Sequence, residues 1–301
     1  MFIDFEYPLG ENAQDPLTDK PQHQREWAEY AGLPKDMRSL KNPMYFGCNS
    51  FVDYEIGRVL EAIDEYAPDA LVIFTSDHGT PLGAHRLNSK GPAMYEEITR
   101  IPFIVRWRDH APRNVVCEHP VSHINIVPTL LEVAGLKVPP FIEGSSILQT
   151  LLDPKMKPNK YVFMEFTRYE VNHDSWGGFQ PIRCIFDGRY KLVINLLYTD
   201  ELYDLKSDPQ EMRNLIDSQE HAEIRDFLHD RLLEWMDETR DVFRGPVWER
   251  RPWKKVRRMG WNGSGKTRPR RDDGYLPRVL LYETGLPVEK WEYDKFPPRR
   301  K

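Results

Sequence analysis

Ala70-Leu71-Val72-Ile73-Phe74-Thr75-Ser76-Asp77-His78-Gly79 is the stretch on which the reading of the fold turns. Its five leading apolar residues form a run of strand length, the pattern of a strand covered on both faces. Upstream, Val52, Ile56, Val59, Leu60 and Ile63 recur at helical spacing, with Ser50 placed to cap the helix and Pro68-Asp69 to break it. Downstream, Ile101–Trp107 reads as a second strand. Ile124–Ala134 reads as a helix closed by Gly135, a residue suited to the left-handed C-cap. Helix, strand, strand and helix in this order predict an α/β fold, a partial and mainly parallel sheet with flanking helices.

Further from that centre the texture changes. Residues 1–7 alternate like a strand, and 8–44 are rich in loop signals, with prolines at 8, 16, 21, 34 and 43. After Pro139, Pro140, Pro154 and Pro158 come three short strand patterns, Tyr161–Phe166, Ile182–Phe186 and Tyr190–Asn195. The last two are joined by Asp187-Gly188, a strong hairpin signal. An amphipathic helix then carries Ile224, Phe227, Leu228, Leu232 and Trp235 on one face. This predicts a small antiparallel sheet with a covering helix. The organisation expected is therefore an α/β part over 1–158, an α+β subdomain over 159–242 and an extended, aromatic-rich basic arm over 243–301.

The chain has 301 residues, 40% hydrophobic and 30% charged, enough to bury a core. No apolar run approaches the roughly 20 residues of a spanning helix. Met1-Phe2-Ile3-Asp4-Phe5-Glu6 lacks the basic end and apolar stretch of a signal peptide and reads as a strand in progress, so the chain is expected to begin within a domain. Cys48, Cys117 and Cys184 are odd in number and widely spaced, which argues against a disulfide framework or a cysteine zinc site. Cys48 reads as a small buried residue rather than a reactive thiol. The net charge of −5 is uneven: residues 241–301 hold 17 Lys+Arg against 8 Asp+Glu, leaving 25 against 39 for the first 240. Such a tail either meets an anionic partner or folds back onto its own acidic body.

The chemistry concentrates after the first strand. Asp77 offers a hard carboxylate oxygen and His78 an imidazole, both competent metal ligands, at the strand end where ligands gather in open α/β sheets. The plainer alternative makes Asp77 a loop cap and His78 an ordinary loop histidine. Beyond them runs Leu82-Gly83-Ala84-His85-Arg86-Leu87-Asn88-Ser89-Lys90-Gly91-Pro92-Ala93-Met94-Tyr95-Glu96-Glu97, followed by Arg100–Ile104 and Val127–Gly135. Later come Asp187–Val193, Glu201–Leu205, Asp208-Pro209 and Asn214-Leu215.

From about residue 40 to about 240 this ordered series closely resembles the sulfatase family of the alkaline-phosphatase superfamily. The resemblance implies hydrolysis of sulfate esters or sulfamates of sulfated carbohydrate, by a formylglycine nucleophile beside a divalent cation, usually Ca2+. It makes Asp77 and His78 the late pair of metal ligands and Lys90 the lysine on the sulfate group. It puts His85 in the loop with a substrate-side histidine, able to protonate a leaving alcohol. A surface histidine in a mobile loop is the other reading of His85. The family's usual compartments are periplasmic, extracellular or lysosomal.

The departures are specific. No C/S-x-P-x-R string and no early Asp-Asp pair are present, so the resemblance covers a C-terminal portion and the chain alone is expected to be inactive, with a weakly held cation. Thr267-Arg268-Pro269-Arg270-Arg271 has the spacing, but threonine does not yield formylglycine. Leu9 follows Pro8 where relatives often have histidine, and Ala84 precedes His85 where an acid is common. Gly260–Thr267 fits a P-loop string without the strand and helix it needs, so no nucleotide is expected. Trp248, Arg250, Arg251, Trp253, Lys254, Lys255, Arg257, Arg258 and Trp261 alternate cations with aromatics, so residues 244–301 read either as a contact for anionic polysaccharide or as aromatics packed on the body. Two further functions stay open: a non-catalytic relative that binds sulfated glycan, and a phosphodiester or phosphonate hydrolase on the same scaffold.

Overall fold

Pro21 and Gly32 bracket the first helix of the protein, whose computed structural model describes residues 2–167 and 180–254. α1 (Gln22–Ala31) lies between β1 (Tyr7–Pro8) and β2 (Ser39–Leu40), which form a two-residue antiparallel ladder. The Gly32 N–H closes α1 on the carbonyls of Ala28 and Glu29 from a left-handed φ of 63°. The strand expected over 1–7 is thus confined, among the described residues, to its last position.

α2 (Pro43–Tyr66) starts earlier than its apolar spacing suggested. Asn42 Oδ1 accepts from the Tyr45 N–H at 3.1 Å, and Pro43 takes the first helical position, where its missing N–H costs nothing. Ser50 is therefore inside the helix rather than its cap, and Cys48 is exposed on it, which overturns the buried reading.

β3 (Val72–Thr75) leads through a long connection containing α3 (Glu96–Thr99) to β4 (Phe103–Arg106). The two strands pair antiparallel, Val72 opposite Arg106 and Thr75 opposite Phe103. The α/β class is as expected, although every strand pair among the described residues is antiparallel. β3 is not covered on both faces, since Phe74 and its neighbour Ile104 are 40% and 60% exposed. α4 (Ile126–Val133) follows a Ser122–Asn125 capping box and ends at Gly135, φ 69°. α5 (Leu148–Leu152) completes this part.

The C-terminal sheet runs β5 (Val162–Phe166), β6 (Ile182–Phe186), β7 (Tyr190–Asn195) and β8 (Glu201–Asp204), in that order and antiparallel throughout. At the β6–β7 turn Gly188 has φ 99°, and Asp187 Oδ1 accepts from the N–H groups of Arg189 and Tyr190. α6 (Ala222–Glu238) lays Leu228, Leu232 and Met236 over Ile185, Leu192, Ile194 and Leu202. Phe227, expected on that face, is 45% exposed.

The segment read as an extended arm from residue 243 is packed wherever it is described. α7 (Pro246–Glu249) buries Trp248 in the same core. Arg251 forks onto Asp200 at 2.7 and 2.8 Å, Trp253 Nε1 donates to the same carboxylate, and Lys254 pairs with Asp230. Arg251 and Lys254 are therefore spent on the acidic body and not offered to a polysaccharide. Residues 255–301, with the P-loop-like string and Thr267–Arg271, lie outside the described residues. Among the described residues no helix is long and apolar enough to cross a membrane.

Candidate functional site

β3 delivers its chain to a tight turn. Ser76 Oγ donates to the His78 carbonyl at 3.0 Å, and Asp77 Oδ1 accepts from the His78 N–H at 2.9 Å. That backbone bond, chiefly, holds the Asp77 carboxyl below its usual range, so the group is an anion at neutral pH. Asp77 Oδ2 and His78 Nε2 stand 3.3 Å apart, with both side chains reaching solvent. A hard oxygen and an imidazole nitrogen side by side suit part of the shell of a divalent cation. Among the described residues no group of three or more His, Cys, Asp or Glu gathers, so two donors are what those residues offer here.

Gly79 seats the turn. Its N–H donates to the Ile98 carbonyl at 2.8 Å, and a Cβ there would stand 2.0 Å from the Glu97 carbonyl oxygen. The pair Asp77-His78 is thereby docked on α3.

The next loop is the surprise of the site. Leu82, Gly83, His85 and Arg86 all have positive φ, at 50°, 99°, 52° and 58°. His85 is fully buried. Its Nδ1 is 2.7 Å from Asp15 Oδ2, and a carboxylate only accepts, so Nδ1 carries the proton. Nε2 then faces the Asn12 amide at 3.5 Å, and the ring stacks on Tyr95 with centroids 3.6 Å apart. This burial overturns the surface reading of His85, whose two nitrogens and one face are covered. Asn12 also donates to Glu97 Oε1 at 2.6 Å, which ties the His85 loop to the helix that seats Gly79.

Behind Tyr95 the polar chain continues into the C-terminal sheet. Tyr95 Oη donates to Gln24 Oε1 at 2.5 Å, Gln24 to Glu201 at 3.1 Å, and Tyr203 Oη to Glu201 at 2.6 Å. Burial pushes both phenols and the Glu201 carboxyl above their ordinary values. Lys191 from β7 is buried between Glu96 (2.7 Å) and Glu211 (2.9 Å) and donates to the Met94 carbonyl. Lys90 is exposed, and Gly91 beside it lies flat on Trp27, with no room for a Cβ. The structure thus joins the Asp77-His78 turn and the His85 loop through α3, and leaves Lys90 at the surface. Asp15, Asn12 and Tyr95 had no sequence signal of their own: the first two sit in an aperiodic proline-rich loop. A separate cavity of about 310 Å³ between β4, residues 111–121 and α5 includes Cys117 and His119, and none of the four candidate residues.

Known proteins resemble the chain along most of its length. Residues 5–136 match the sulfatase family model, and residues 83–238 match that of N-sulphoglucosamine sulphohydrolase, C-terminal. The uncharacterized sulfatase YidJ of Escherichia coli K12 is 47% identical over 290 residues, 96% of this chain and 56% of its own length. The N-acetylglucosamine-6-O-sulfatase of Bacteroides thetaiotaomicron is 29% identical, over 64% of this chain and 34% of its own length. The chain thus spans about a third to just over half the length of these two relatives. A structure solved with its substrate D-glucosamine-2-N,6-O-disulfate superposes with a TM-score of 0.57 at 28% identity, over 64% of this chain and 39% of that one. A putative sulfatase of Bacteroides thetaiotaomicron shares the fold at TM-score 0.66 and 22% identity, over 80% and 54%. With family models running from residue 5 to 238 and a 47% identical relative along nearly its whole length, the chain belongs to the sulfatase family of the alkaline phosphatase superfamily.

Proposed function

We propose that this chain carries one end of the metal site and the sulfate-contacting lysine of an enzyme that hydrolyses sulfate esters or sulfamates of sulfated carbohydrate. The observation that carries the reading is the exposed Asp77-His78 pair, seated on α3 by Gly79 and followed in one loop by His85 and Lys90. The substrate class is supported by the glucosamine-type sulfates that a relative and a structural neighbour act on or bind.

In this proposal Asp77 and His78 would hold a divalent cation, calcium in the family's usual form. Bound there, the cation supplies positive charge to the oxygens of the sulfuryl group. Lys90 supplies a second positive charge from a flexible stem at the mouth of the loop. Asp15 fixes His85 as the Nδ1–H tautomer, and the stack on Tyr95 fixes its plane. His85 is accordingly assigned to holding the loop in shape. For it to protonate a leaving oxygen, Asn12 must first leave Nε2. The nucleophile, a formylglycine from a C/S-x-P-x-R segment, is absent from the 301 residues, so the chain alone is inactive.

The test joins this chain to the preceding segment of its E. coli relative, co-produced with a formylglycine-generating enzyme. Glucosamine 6-sulfate, an aryl sulfate and an aryl phosphonate are then assayed with calcium. Sulfate release by the joined protein, absent from the chain alone and lost in Asp77→Asn and Lys90→Ala, is expected. Turnover of the phosphonate alone, or full activity in both variants, refutes it.

A further inference from the structure

Five arginines are buried among the described residues, namely Arg86, Arg183, Arg225, Arg244 and Arg251. Four have a carboxylate. Arg183 meets Asp241 at 2.5 Å, Arg225 meets Asp226 at 3.1 Å, Arg244 meets Asp237 at 3.1 Å, and Arg251 meets Asp200 at 2.7 Å. Arg86 is the exception. It is 8% exposed, its Nε is sealed off without a partner, and among the described residues no carboxylate pairs with it. An arginine does not shed its proton in a protein, so it cannot escape the cost of burial by becoming neutral.

The backbone makes the arrangement more pointed. Arg86 and His85 are consecutive non-glycine residues in the left-handed region, φ 58° and 52°. Such strain persists only where the surroundings over-determine it. Here Asp15 and Tyr95 pin His85, and the next residue is forced to keep its unpaired guanidinium in the fold. Lys90 is four residues on, so its Cα is at most about 14 Å away. That separation is within the span of a short oligosaccharide.

We propose that Arg86 is an oxyanion-recognition residue of the sulfatase site. It takes a sulfate or carboxylate group of the sugar ligand in a bidentate grip and selects for substrates with a second anionic group besides the one at Lys90. A planar fork matches either oxyanion. Only Nε among its nitrogens is sealed without a partner, which leaves the two terminal nitrogens for the incoming group. The identity of the ligand rests on the function proposed above; the existence of an anion site rests on the unpaired charge.

The experiment uses the 301-residue chain with 15N-arginine. The side-chain Nε–H signal of Arg86, assigned with Arg86→Lys, is followed during titration with inorganic sulfate, glucosamine 6-sulfate, glucuronate and neutral glucosamine. A saturable shift with the sulfated probes is expected, with no response to glucosamine and a silent Arg251 signal as internal control. Arg86→Gln is expected to weaken sulfate binding at least tenfold. Response to glucuronate separates a general oxyanion grip from a sulfate-selective one. An unmoved Arg86 signal, or equal affinity in Arg86→Gln, overturns the proposal. So does a fall in the urea midpoint of Arg86→Met, because removing an unpaired buried charge leaves stability unchanged or raises it, whereas removing a paired one lowers it. If Arg86 binds sulfate while the joined protein fails to turn over sulfate esters, the anion site stands and the sulfatase reading falls. Turnover with a silent Arg86 gives the reverse.

Discussion

Gly79→Ala tests the seating of the Asp77-His78 turn. The added methyl would lie 2.0 Å from the Glu97 carbonyl oxygen and 3.0 Å from its carbon, both backbone atoms that cannot swing aside. Cβ atoms essentially never make contacts below 3.0 Å, so the turn or α3 must move by about 1 Å. That displacement stretches the 2.8 Å bond from the Gly79 N–H to the Ile98 carbonyl. Its loss costs about 0.5–1.5 kcal/mol, and forcing extra volume into a packed seam adds about 1–3 kcal/mol. Alanine's smaller unfolded-state entropy returns about 0.4–1 kcal/mol. The net expectation is a destabilisation of about 0.5–4 kcal/mol. Gly57→Ala is the paired control, because a Cβ at that position in α2 meets nothing within 4 Å. There the change should stabilise by about 0.5–1 kcal/mol. Urea unfolding followed by tryptophan fluorescence gives both values. If Gly79→Ala has the same midpoint as Gly57→Ala, the close approach to Glu97 is wrong and the seating argument fails.

Other perturbations probe the packing around that turn. Asp15→Ala leaves the buried His85 Nδ1 without its acceptor and should cost about 1–3 kcal/mol in urea unfolding; an unchanged midpoint would mean that His85 has another partner. Arg251→Ala strands the buried Asp200 and should cost about 3–5 kcal/mol. Trp248→Ala empties a buried site in the C-terminal core and should cost about 3–5 kcal/mol; an unchanged midpoint would contradict the packing of α7. Burial holds His23 at about 4 against an ordinary 6.5. The folded chain keeps it neutral while the unfolded chain takes a proton, so stability falls as pH drops from 6.5 to 4, by about 3 kcal/mol for this group. His229, lowered to about 3, adds to the slope in the same window. Urea midpoints against pH should therefore be flatter in His23→Asn; an identical slope rules His23 out.

The readable parts of the fold were those whose cause is local. Asp187-Gly188 closes a hairpin because Gly188 has the positive φ and Asp187 the acceptor, and both properties belong to the dipeptide. Ile224, Leu228 and Leu232 announce a helix by their spacing alone. α1 was hidden because its buried face is built from His23, Gln24, Trp27 and Ala28, with only two apolar positions to set a period. The start of α2 is not legible from the apolar stripe, because Asn42-Pro43 caps the helix ahead of it.

The candidate site divides in the same way. Asp77, His78 and Lys90 stand out from their sequence context, since a strand-end loop with that order of residues carries the family resemblance. Asp15 and Asn12 reach His85 from about seventy residues away, and no local pattern encodes a contact between two loops. Arg86 is an ordinary basic loop residue until the burial of its neighbours denies it a partner.

The sequence by itself determined the family and the class of fold, and marked Asp77, His78 and Lys90 as candidates, because strand length, turn chemistry and ordered motifs are properties of short stretches. Tertiary structure decided the rest. It set the antiparallel return of β4, the burial of His85, the packing of Arg251 and Lys254 on the acidic body, and the isolation of Arg86. Each depends on which distant groups are excluded from water together, and burial is a property of the assembled chain rather than of any stretch of it.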